Sequence, residues 1–482
     1  MKLDFKKLVS LLFKLTIGFF SLFFLYEIAC HLLLDFPLNA YEPEVIMDSW
    51  AVSQGKDLYP LRTVGPIAGL YAPLFNIVVA LFFQFLPNTL LTARLVSILS
   101  LIISGWLISK SIKNLPFSGI IGLFSILIWH SSLLNFDMHA KPDSFSVLLG
   151  MASAFAIISN KNFNGIVISA LFATLALSAK QSMAFVPVGI GLAFLIQKEW
   201  KNTLVFTVAF LSSTVLLWFI LFNTMGPDMW FYVFIQPGSF QMHWSALFIN
   251  FWYIQYSLFW LAALVLIPIL VKQKSLDWDV KVIFCISLFA LPASVLTASK
   301  GGGMVNAYQP FYYFSTWLCI LLFDKQWIKG LNMKQLFEKY QSSAQWALII
   351  LLFVSVHPNF PSIILSVPQR IEMHKQYSAL VKDIQIDGGT VYAPMDNYVT
   401  LKAGKPIRWS YKWQIETRLS KDFNPGKNHK SIALESDLVV TVHNSTWTSD
   451  TKLETSLAKN GFNKVKTYSL NLGQEYNLWK KN

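Results

Sequence analysis

The chain has 482 residues, of which 54% are hydrophobic and 13% carry a charged side chain. An ordinary soluble globular protein carries about 25% charged residues, so this composition excludes that class and indicates a membrane protein. The formal net charge of +13 comes largely from lysines in short segments between apolar runs, where they orient a membrane protein, so we expect no nucleic-acid partner.

The first apolar segment follows the basic sequence MKLDFKK and continues to about residue 35. It is too long for the apolar part of a signal peptide, and no small-residue cleavage site follows it. We therefore expect a retained membrane anchor. Its basic start predicts a cytoplasmic N-terminus.

About 20 mainly apolar residues are needed to cross a bilayer, and this criterion predicts eleven spans. They lie near residues 9–34, 93–109, 118–134, 144–159, 164–179, 182–197, 202–223, 248–271, 280–298, 308–323 and 344–363. A further run at 69–87 is borderline in length. If it spanned, the later lysine-rich loops would move outside and violate the positive-inside rule, so we predict that 66–88 is juxtamembrane.

This topology predicts an all-α polytopic membrane protein whose polar loops share one non-cytoplasmic side. The first outer loop, residues 36–88, lies on that side and is expected to contain juxtamembrane helices. The other loops assigned to it are 135–144, 179–182, 224–247 and 299–309. Acids collect on the same side, which favours it as the place of any polar chemistry: Asp35, Glu42, Glu44, Asp48, Asp57, Asp137, Asp143 and Asp228.

The composition changes after about residue 364, where helix-like and strand-like segments alternate. Predicted helices are QRIEMHKQYSALVKDI, NYVTLKAGK closed by Gly404, and TKLETSLAKNG ending at Gly461. Predicted strands are TVYAP, DLVVTV, KVKTYSL and EYNLWKK. We therefore divide the chain into a transmembrane domain, 1–363, and a small α/β extracytoplasmic domain, 364–482.

The stretch NAYEPEVIMDSWAVSQGKDLYP concentrates acids just after the first apolar run. A helix starting at Pro43 would place Glu44 and Asp48 on one face, with Glu42 at the cap. The alternative interpretation makes Asn39 and Glu42 a capping pair and the other acids solvated charges beside lipid headgroups. Acids at membrane depth are costly unless they have a task or a partner, which favours a functional role.

The segment DMHAKPDSFSVLLG forms a second polar cluster before a predicted span. Asp143 suits an N-terminal cap that the helix dipole favours. Asp137, His139 and Lys141 share the same short turn, where an acid beside a lysine is often a neutralised pair. A histidine near two acids also suits a divalent metal, so Asp137 and His139 are the metal candidates; no other cofactor is indicated.

Two further loops carry cations. In LALSAKQSMAF, Lys180 and Gln181 lie between two apolar runs, and Lys180 either reaches headgroups or supplies a cation for phosphate. In SKGGGMVNAYQ, the glycines beside Lys300 form either a flexible loop or an anion-binding nest. Asn306 and Tyr308 follow at a predicted helix start, where capping or interfacial anchoring also explains them.

The order of short phrases over residues 1–325 resembles that of the polyprenyl-phosphate-sugar-dependent glycosyltransferases of the GT-C superfamily. It is most similar to the bacterial protein-mannosyltransferase and aminoarabinose-transferase-like branch. The phrases are A-x-x-x-x-G-x-x-L-Y (Ala51, Gly55, Leu58, Tyr59), Y-x-P-L (Tyr71, Pro73, Leu74), A-R-L-x-S (Ala93, Arg94, Leu95, Ser97), K-P-D, K-Q-S and G-x-x-x-N-x-Y.

The resemblance implies transfer of a sugar from a polyprenyl-phosphate donor to a lipid, glycan or protein acceptor, usually with inversion, in a bacterial-type inner or plasma membrane. A first-loop acid would act as base or orient the acceptor. Many members have adjacent Asp-Glu there, whereas this chain has Glu42-Pro43-Glu44, so the register stays open. We rank Glu44 first, Glu42 second and Asp48 third, with Asp143 as the second-loop acid.

Donor and phosphate contacts are expected from a larger set of basic, amide and phenol side chains: Lys141, Lys180, Gln181, Arg94, Lys300, Asn306, Tyr308, Tyr59 and Tyr71. The chemistry requires positioning of the acceptor, its deprotonation and neutralisation of the departing phosphate. The main alternative function is a transporter or flippase for a lipid-linked glycan, which would place ionisable groups near mid-membrane. A noncatalytic scaffold with a partner-binding outer domain is the third.

Overall fold

The computed structural model describes residues 5–39, 41–60, 69–113, 118–133, 137–243, 276–300, 303, 305–322, 324, 349, 367–406, 431–444, 451–470 and 474–482. The predicted spans 248–271 and 344–363 lie outside the described residues. Each of the other predicted spans coincides with a helical segment.

Helices joined by loops make up the described residues of the first part of the chain, apart from one β-bridge between Met242 and Lys300. The helices are α1 Phe5–Leu33, α2 Glu42–Ser53, α3 Leu74–Phe82, α4 Leu90–Ser111, α5 Ser118–Leu133, α6 Pro142–Ser159, α7 Phe163–Ala179, α8 Phe185–Ile196, α9 Trp200–Thr224, α10 Gln236–Ser239, α11 Trp278–Ala298 and α12 Gln309–Leu322. Short 3₁₀ helices occupy Gln181–Ala184 and Val305–Tyr308, and a π-helical turn occupies Phe231–Ile235.

Among the described residues, five helices are long and apolar enough to cross a membrane by length and composition, namely α4, α6, α9, α11 and Lys7–Leu33 of α1. Shorter apolar helices lie at Ser118–His130, Phe163–Ala179 and Gln181–Ile196. This pattern identifies an integral membrane protein. Helix α3 has 9 residues, or about 14 Å at 1.5 Å per residue, which is too short to cross a hydrocarbon core of about 30 Å.

Glycines allow two pairs of these helices to approach closely. A Cβ on Gly122 of α5 would lie 2.6 Å from the Gly105 carbonyl oxygen of α4. A Cβ on Gly189 of α8 would lie 2.6 Å from the Cα of Ile286 of α11. Small residues at such crossings let membrane helices gain packing contacts that larger side chains would prevent.

The C-terminal part combines helices with one four-stranded sheet. Its elements are α13 Val367–Asp387, β1 Val391–Tyr392, α14 Asn397–Lys402, β2 Leu438–Asn444, α15 Thr451–Lys459, β3 Phe462–Leu470 and β4 Gln474–Lys481. The strand order is β1-β2-β4-β3, with β1 parallel to β2 and the other pairs antiparallel. Gly404 and Gly461 follow α14 and α15 with φ of +66° and +83°, as predicted for helix-ending glycines.

The two parts share one apolar core around the start of the first outer loop. Phe36, Val45 and Ile46 of the first part pack in the same cluster as Tyr377 and Tyr398 of the second. Helix α14 packs directly against α2. The C-terminal part therefore lies against the helix that carries the predicted catalytic acids.

Candidate active site at the first outer loop

Helix α2 begins at Glu42, with Pro43 in its first turn and Glu42 and Glu44 as its first acids. Proline is tolerated there because the first amide groups of a helix have no intrahelical acceptor. Acids in this turn also interact favourably with the helix dipole. The sequence predicted a helix starting at Pro43, and the helix starts one residue earlier, with Tyr41 instead of Glu42 at the N-cap position.

Glu42 forms a buried bidentate ion pair with Arg94 of α4. The Arg94 Nε donates to Oε1 at 2.8 Å and Nη2 donates to Oε2 at 2.6 Å, and both side chains are 0% exposed. The amides of Leu38 and Ala140 donate to the same carboxylate at 2.8 and 2.9 Å. Burial alone raises the pKa of Glu42, but the guanidinium and its hydrogen bonds outweigh it and hold that pKa well below its usual range.

The remaining N–H groups of Arg94 donate to backbone carbonyls that precede α2. Its guanidinium donates to the carbonyls of His31, Leu34 and Phe36 at 3.2, 2.9 and 2.7 Å. Together with Glu42, these contacts fix the path of the chain from α1 into the first outer loop. Glu42 and Arg94 are thus occupied by each other and by the backbone, whereas Glu44 and Asp48 line a small pocket.

Asp143, in the first turn of α6, lies at the centre of a second polar cluster. Its Oδ1 accepts hydrogen bonds from the Lys180 ammonium and, at 3.0 Å, from Asn306 Nδ2. Among the described residues, Oδ2 has no hydrogen-bond partner although it is buried. The structure thus brings together three residues that the sequence placed in separate loops.

Lys141 and His139 lie between the two clusters. Burial lowers the pKa of Lys141 to about 8, against the opposing effects of Asp143 and Glu42. Its ammonium lies 4.6 Å from the centre of the Tyr41 ring. Burial also lowers the pKa of His139 to about 3, so its imidazole is neutral near pH 7.

Both residues predicted as metal ligands, Asp137 and His139, contact other side chains of the protein. His139 Nδ1 accepts from Asn39 Nδ2 at 2.6 Å, and Asp137 Oδ1 lies 3.2 Å from His130 Nδ1. Within the described ranges, no group of three or more histidine, cysteine or acidic side chains is arranged to hold a metal ion. Metal dependence stays a prediction.

A cavity of about 530 Å³ opens beside the Asp143 cluster. Lys180, Gln181, Lys300 and Tyr71, all predicted donor contacts, line it. Apolar side chains complete its wall, among them Phe185, Phe240, Met242 and Leu296. A pocket with cations at one part and an apolar wall elsewhere suits an amphipathic anion.

Glu44 and Asp48 line a much smaller pocket of about 10 Å³, with Asn76 of α3. This volume has room for about one water molecule. Tyr41 and Tyr71 border both the small pocket and the larger cavity. The pocket of the acids and the cationic cavity are therefore neighbours that share these two tyrosines in their linings.

Three other predicted contacts have structural partners. Gln181 donates to the carbonyls of Leu70 and Val233, at 2.7 and 3.1 Å, and so joins the first outer loop to the π-helical turn. Tyr59 is buried and donates to the carbonyl of Tyr71. Lys300 donates to the carbonyl of Pro237 at 3.0 Å while lining the cavity.

Tyr308 is also buried, and its ring packs 6.2 Å from that of Tyr312. Sequence reasoning missed Tyr41 and Asn76 as site residues. Tyr41 directly precedes Glu42, so its adjacency to the acidic phrase was a usable signal. Asn76 lies in an apolar run, and nothing local connects it to the acids of α2.

Comparisons with known proteins agree with this architecture. Residues 71–225 match the family model described as dolichyl-phosphate-mannose-protein mannosyltransferase. No curated protein matches the chain. The crystal structure of ArnT from Cupriavidus metallidurans in the apo state aligns with a TM-score of 0.60 at 12% identity, covering 96% of this chain and 97% of that one. The same protein bound to undecaprenyl phosphate aligns with a TM-score of 0.61, at the same identity and coverage. The fold is shared, and the predicted GT-C resemblance is confirmed.

Proposed function

We propose that this chain is a membrane glycosyltransferase that transfers a sugar from a polyprenyl-phosphate donor to an acceptor hydroxyl on the non-cytoplasmic face. The observation that carries the proposal is the adjacency of the cavity lined by Lys180 and Lys300 to the pocket of Glu44 and Asp48. The family match over 71–225 and the ArnT-like fold support lipid-linked sugar transfer. One of the ArnT structures holds undecaprenyl phosphate, which supports a donor of that chemical class.

In the proposed reaction, Glu44 takes the proton of the acceptor hydroxyl while the acceptor oxygen forms a bond to the anomeric carbon of the donor sugar. The bond from that carbon to the phosphate oxygen breaks, and the electron pair leaves with polyprenyl phosphate. Lys180 and Lys300 stabilise the charge that develops on the phosphate, and Lys141 adds a further cation nearby. Attack from the side opposite the phosphate inverts the anomeric configuration.

Asp143 holds the Lys180 ammonium in this scheme, because the two groups form an ion pair with little exposure to solvent. Tyr41 and Tyr71 line both the pocket of the acid and the cation cavity. We infer that donor and acceptor meet where these two rings lie. The tyrosine side chains then move aside or contact the sugar.

The C-terminal part and the first outer loop contact each other. Residues of the C-terminal part bind Asp35 and pack against α2, so that part and the first outer loop lie on the same side of the membrane. The basic sequence MKLDFKK, which runs into the start of α1, predicts that the opposite side is cytoplasmic. We therefore infer that residues 364–482 form an extracytoplasmic domain of a plasma-membrane or inner-membrane enzyme.

The test uses the purified full chain with a panel of polyprenyl-phosphate hexoses and pentoses and a mixture of envelope lipids, glycans and proteins. Release of polyprenyl phosphate and labelling of an acceptor are both measured. We expect Glu44→Gln to lower transfer by about 100-fold or more. Asp57→Asn is the matched control, because it removes an exposed acid from the same loop.

Unchanged transfer in Glu44→Gln, Glu42→Gln and the double variant would overturn the proposed chemistry. If the wild-type chain instead moved the intact donor across a vesicle membrane without breaking its sugar-phosphate bond, the transporter alternative would replace it.

A further inference from the structure

The C-terminal part contacts α1 and the segment between α1 and α2 through two separate polar interactions. Lys402 of α14 donates to the Asp35 carbonyl at 2.7 Å and forms an ion pair with its carboxylate at 3.0 Å. Arg370 of α13 binds Glu27, a fully buried acid of α1, at 2.8 Å. The first contact acts on the eight residues, 34–41, that separate α1 from α2, and the second acts on the last two turns of α1.

Tyr398 makes the most consequential of these contacts. Its side chain is fully buried, its hydroxyl donates to Asp35 Oδ1 at 2.5 Å, and it accepts from the Leu90 amide at 3.3 Å. One hydroxyl therefore joins the segment before α2 to the first residue of α4.

The same two chain segments are joined a second time inside the first part of the molecule. Glu42 begins α2, and Arg94 lies four residues beyond Leu90, one helical turn along α4. The Glu42–Arg94 ion pair and the Tyr398 bridge thus act in parallel on one junction. Between them they fix both the start and the orientation of α2.

Apolar packing continues this connection onto α2 itself. Val45 and Ile46, the two residues after Glu44, lie in the core cluster that contains Tyr398 and Val399. A displacement of Tyr398 would therefore reach Glu44 both through Asp35 and through the buried face of α2. Catalytic groups must be held within about 0.5 Å, and a misplacement of about 1 Å costs on the order of 100-fold in rate.

We propose that Tyr398 of the C-terminal domain is a positioning residue for the acid of α2, and that this domain serves the reaction by holding Glu44 in register with the donor cavity. The inference rests on the proposed function, since Glu44 is the base in that scheme. In this proposal the C-terminal domain contributes to catalysis by positioning α2, and this role does not depend on recognition of the acceptor.

The test compares Tyr398→Phe with Tyr468→Phe. Each removes a single hydroxyl from a buried tyrosine of the same domain, but the Tyr468 hydroxyl donates to Asp383 within that domain. We expect Tyr398→Phe to lower kcat by about 10-fold to 100-fold with donor KM within about twofold. Tyr468→Phe should leave both constants near their wild-type values.

A second readout does not depend on activity. Amide hydrogen exchange over residues 42–53 should become faster in Tyr398→Phe and stay unchanged in Tyr468→Phe. Asp35→Asn, which keeps an oxygen acceptor for the Tyr398 hydroxyl, should retain more kcat than Asp35→Ala.

The inference is overturned by unchanged kcat and exchange in Tyr398→Phe, by an equal loss in both tyrosine variants, or by a change confined to KM. A Glu44→Gln arm separates the two claims. If Glu44→Gln keeps full transfer, the proposed base is wrong, while the exchange experiment still decides whether Tyr398 holds α2.

Discussion

Only Pro43 separates Glu42 from Glu44, and the structure predicts different consequences for the loss of each acid. Glu42→Gln removes the charge that neutralises Arg94 in a fully buried ion pair. Glu44→Gln changes a half-buried acid at the edge of the small pocket. The first variant should therefore lose stability, and the second should lose transfer while the fold persists.

The magnitude for Glu42→Gln follows from the geometry of the pair. Removing one partner of a buried ion pair costs about 3–5 kcal/mol, because an uncompensated charge stays buried. Arg94 keeps three backbone carbonyl acceptors, so we expect a value near the lower end. An unfolding entropy of about 2.1 cal/mol/K per residue gives about 1 kcal/mol/K for the whole chain, so Tm should fall by about 3 °C.

A double-mutant cycle refines this estimate. Arg94→Met replaces the guanidinium with an apolar side chain of similar length. The double variant Glu42→Gln, Arg94→Met should lose less stability than the two single variants lose in sum. It contains neither charge of the pair, so no uncompensated charge stays buried. Glu44→Gln should change the free energy of unfolding by no more than about 0.5 kcal/mol.

The assay is thermal unfolding of the purified full chain in nanodiscs, followed by the intrinsic fluorescence of its 17 tryptophans. Transfer is measured on the same samples well below the unfolding temperature. A Glu42→Gln variant with wild-type Tm and no transfer would refute the reasoning. Glu42 would then be the reacting acid, and Glu44 the supporting one.

Three further predictions concern other parts of the molecule. Lys180→Gln should raise donor KM by about tenfold or more in steady-state kinetics, because it removes a cation from the cavity and leaves Asp143 without its ion-pair partner; unchanged KM would exclude Lys180 from phosphate binding. Burial raises the pKa of Asp396 from 3.8 to about 6, against hydrogen bonds from two tyrosines. The folded state thus binds this proton more tightly than the unfolded state, so its contribution to stability is full below pH 3.8 and is lost as pH rises through about 6. Asp396→Asn should therefore flatten Tm between about pH 4 and 6, and a profile that stays as steep as that of the wild type would contradict the assignment. Gly226→Ala should lower Tm and folded yield more than Gly55→Ala. Both glycines have positive φ, at +117° and +67°, but only at 226 would a Cβ lie 2.3 Å from a carbonyl oxygen of the first outer loop; equal effects would show that the close contact is unimportant.

Much of the architecture was predictable because it depends on local properties of the sequence. The length of an apolar run decides whether a helix can span, and helices α1, α4 to α9, α11 and α12 coincide with predicted runs. The distribution of lysines predicted that 66–88 does not span, and α3 is too short to do so. Proline in a first turn predicted the start of α2 to within one residue. Alternation of apolar residues and the helix-ending glycines likewise predicted the elements of the C-terminal part.

The identity of the acids at the first site was only partly accessible from sequence. Charge and sidedness narrowed the candidates to Glu44, Glu42 and Asp48. Pro43 left their order open, because a proline at a helix start is compatible with either acid facing the site. The sequence also put Arg94 and Lys180 in one class of phosphate-binding cations, although only Lys180 lines the cavity.

Tertiary structure decided which charge each acid meets. Glu42 binds Arg94, which is 52 positions away, and Asp35 binds Tyr398, which is 363 positions away. A carboxylate has the same local sequence signature whether it neutralises a buried guanidinium or faces a cavity. Only the packing of α2 between α4 and the C-terminal domain separates the two cases, because burial and partner, not residue type, set what a charged side chain can do.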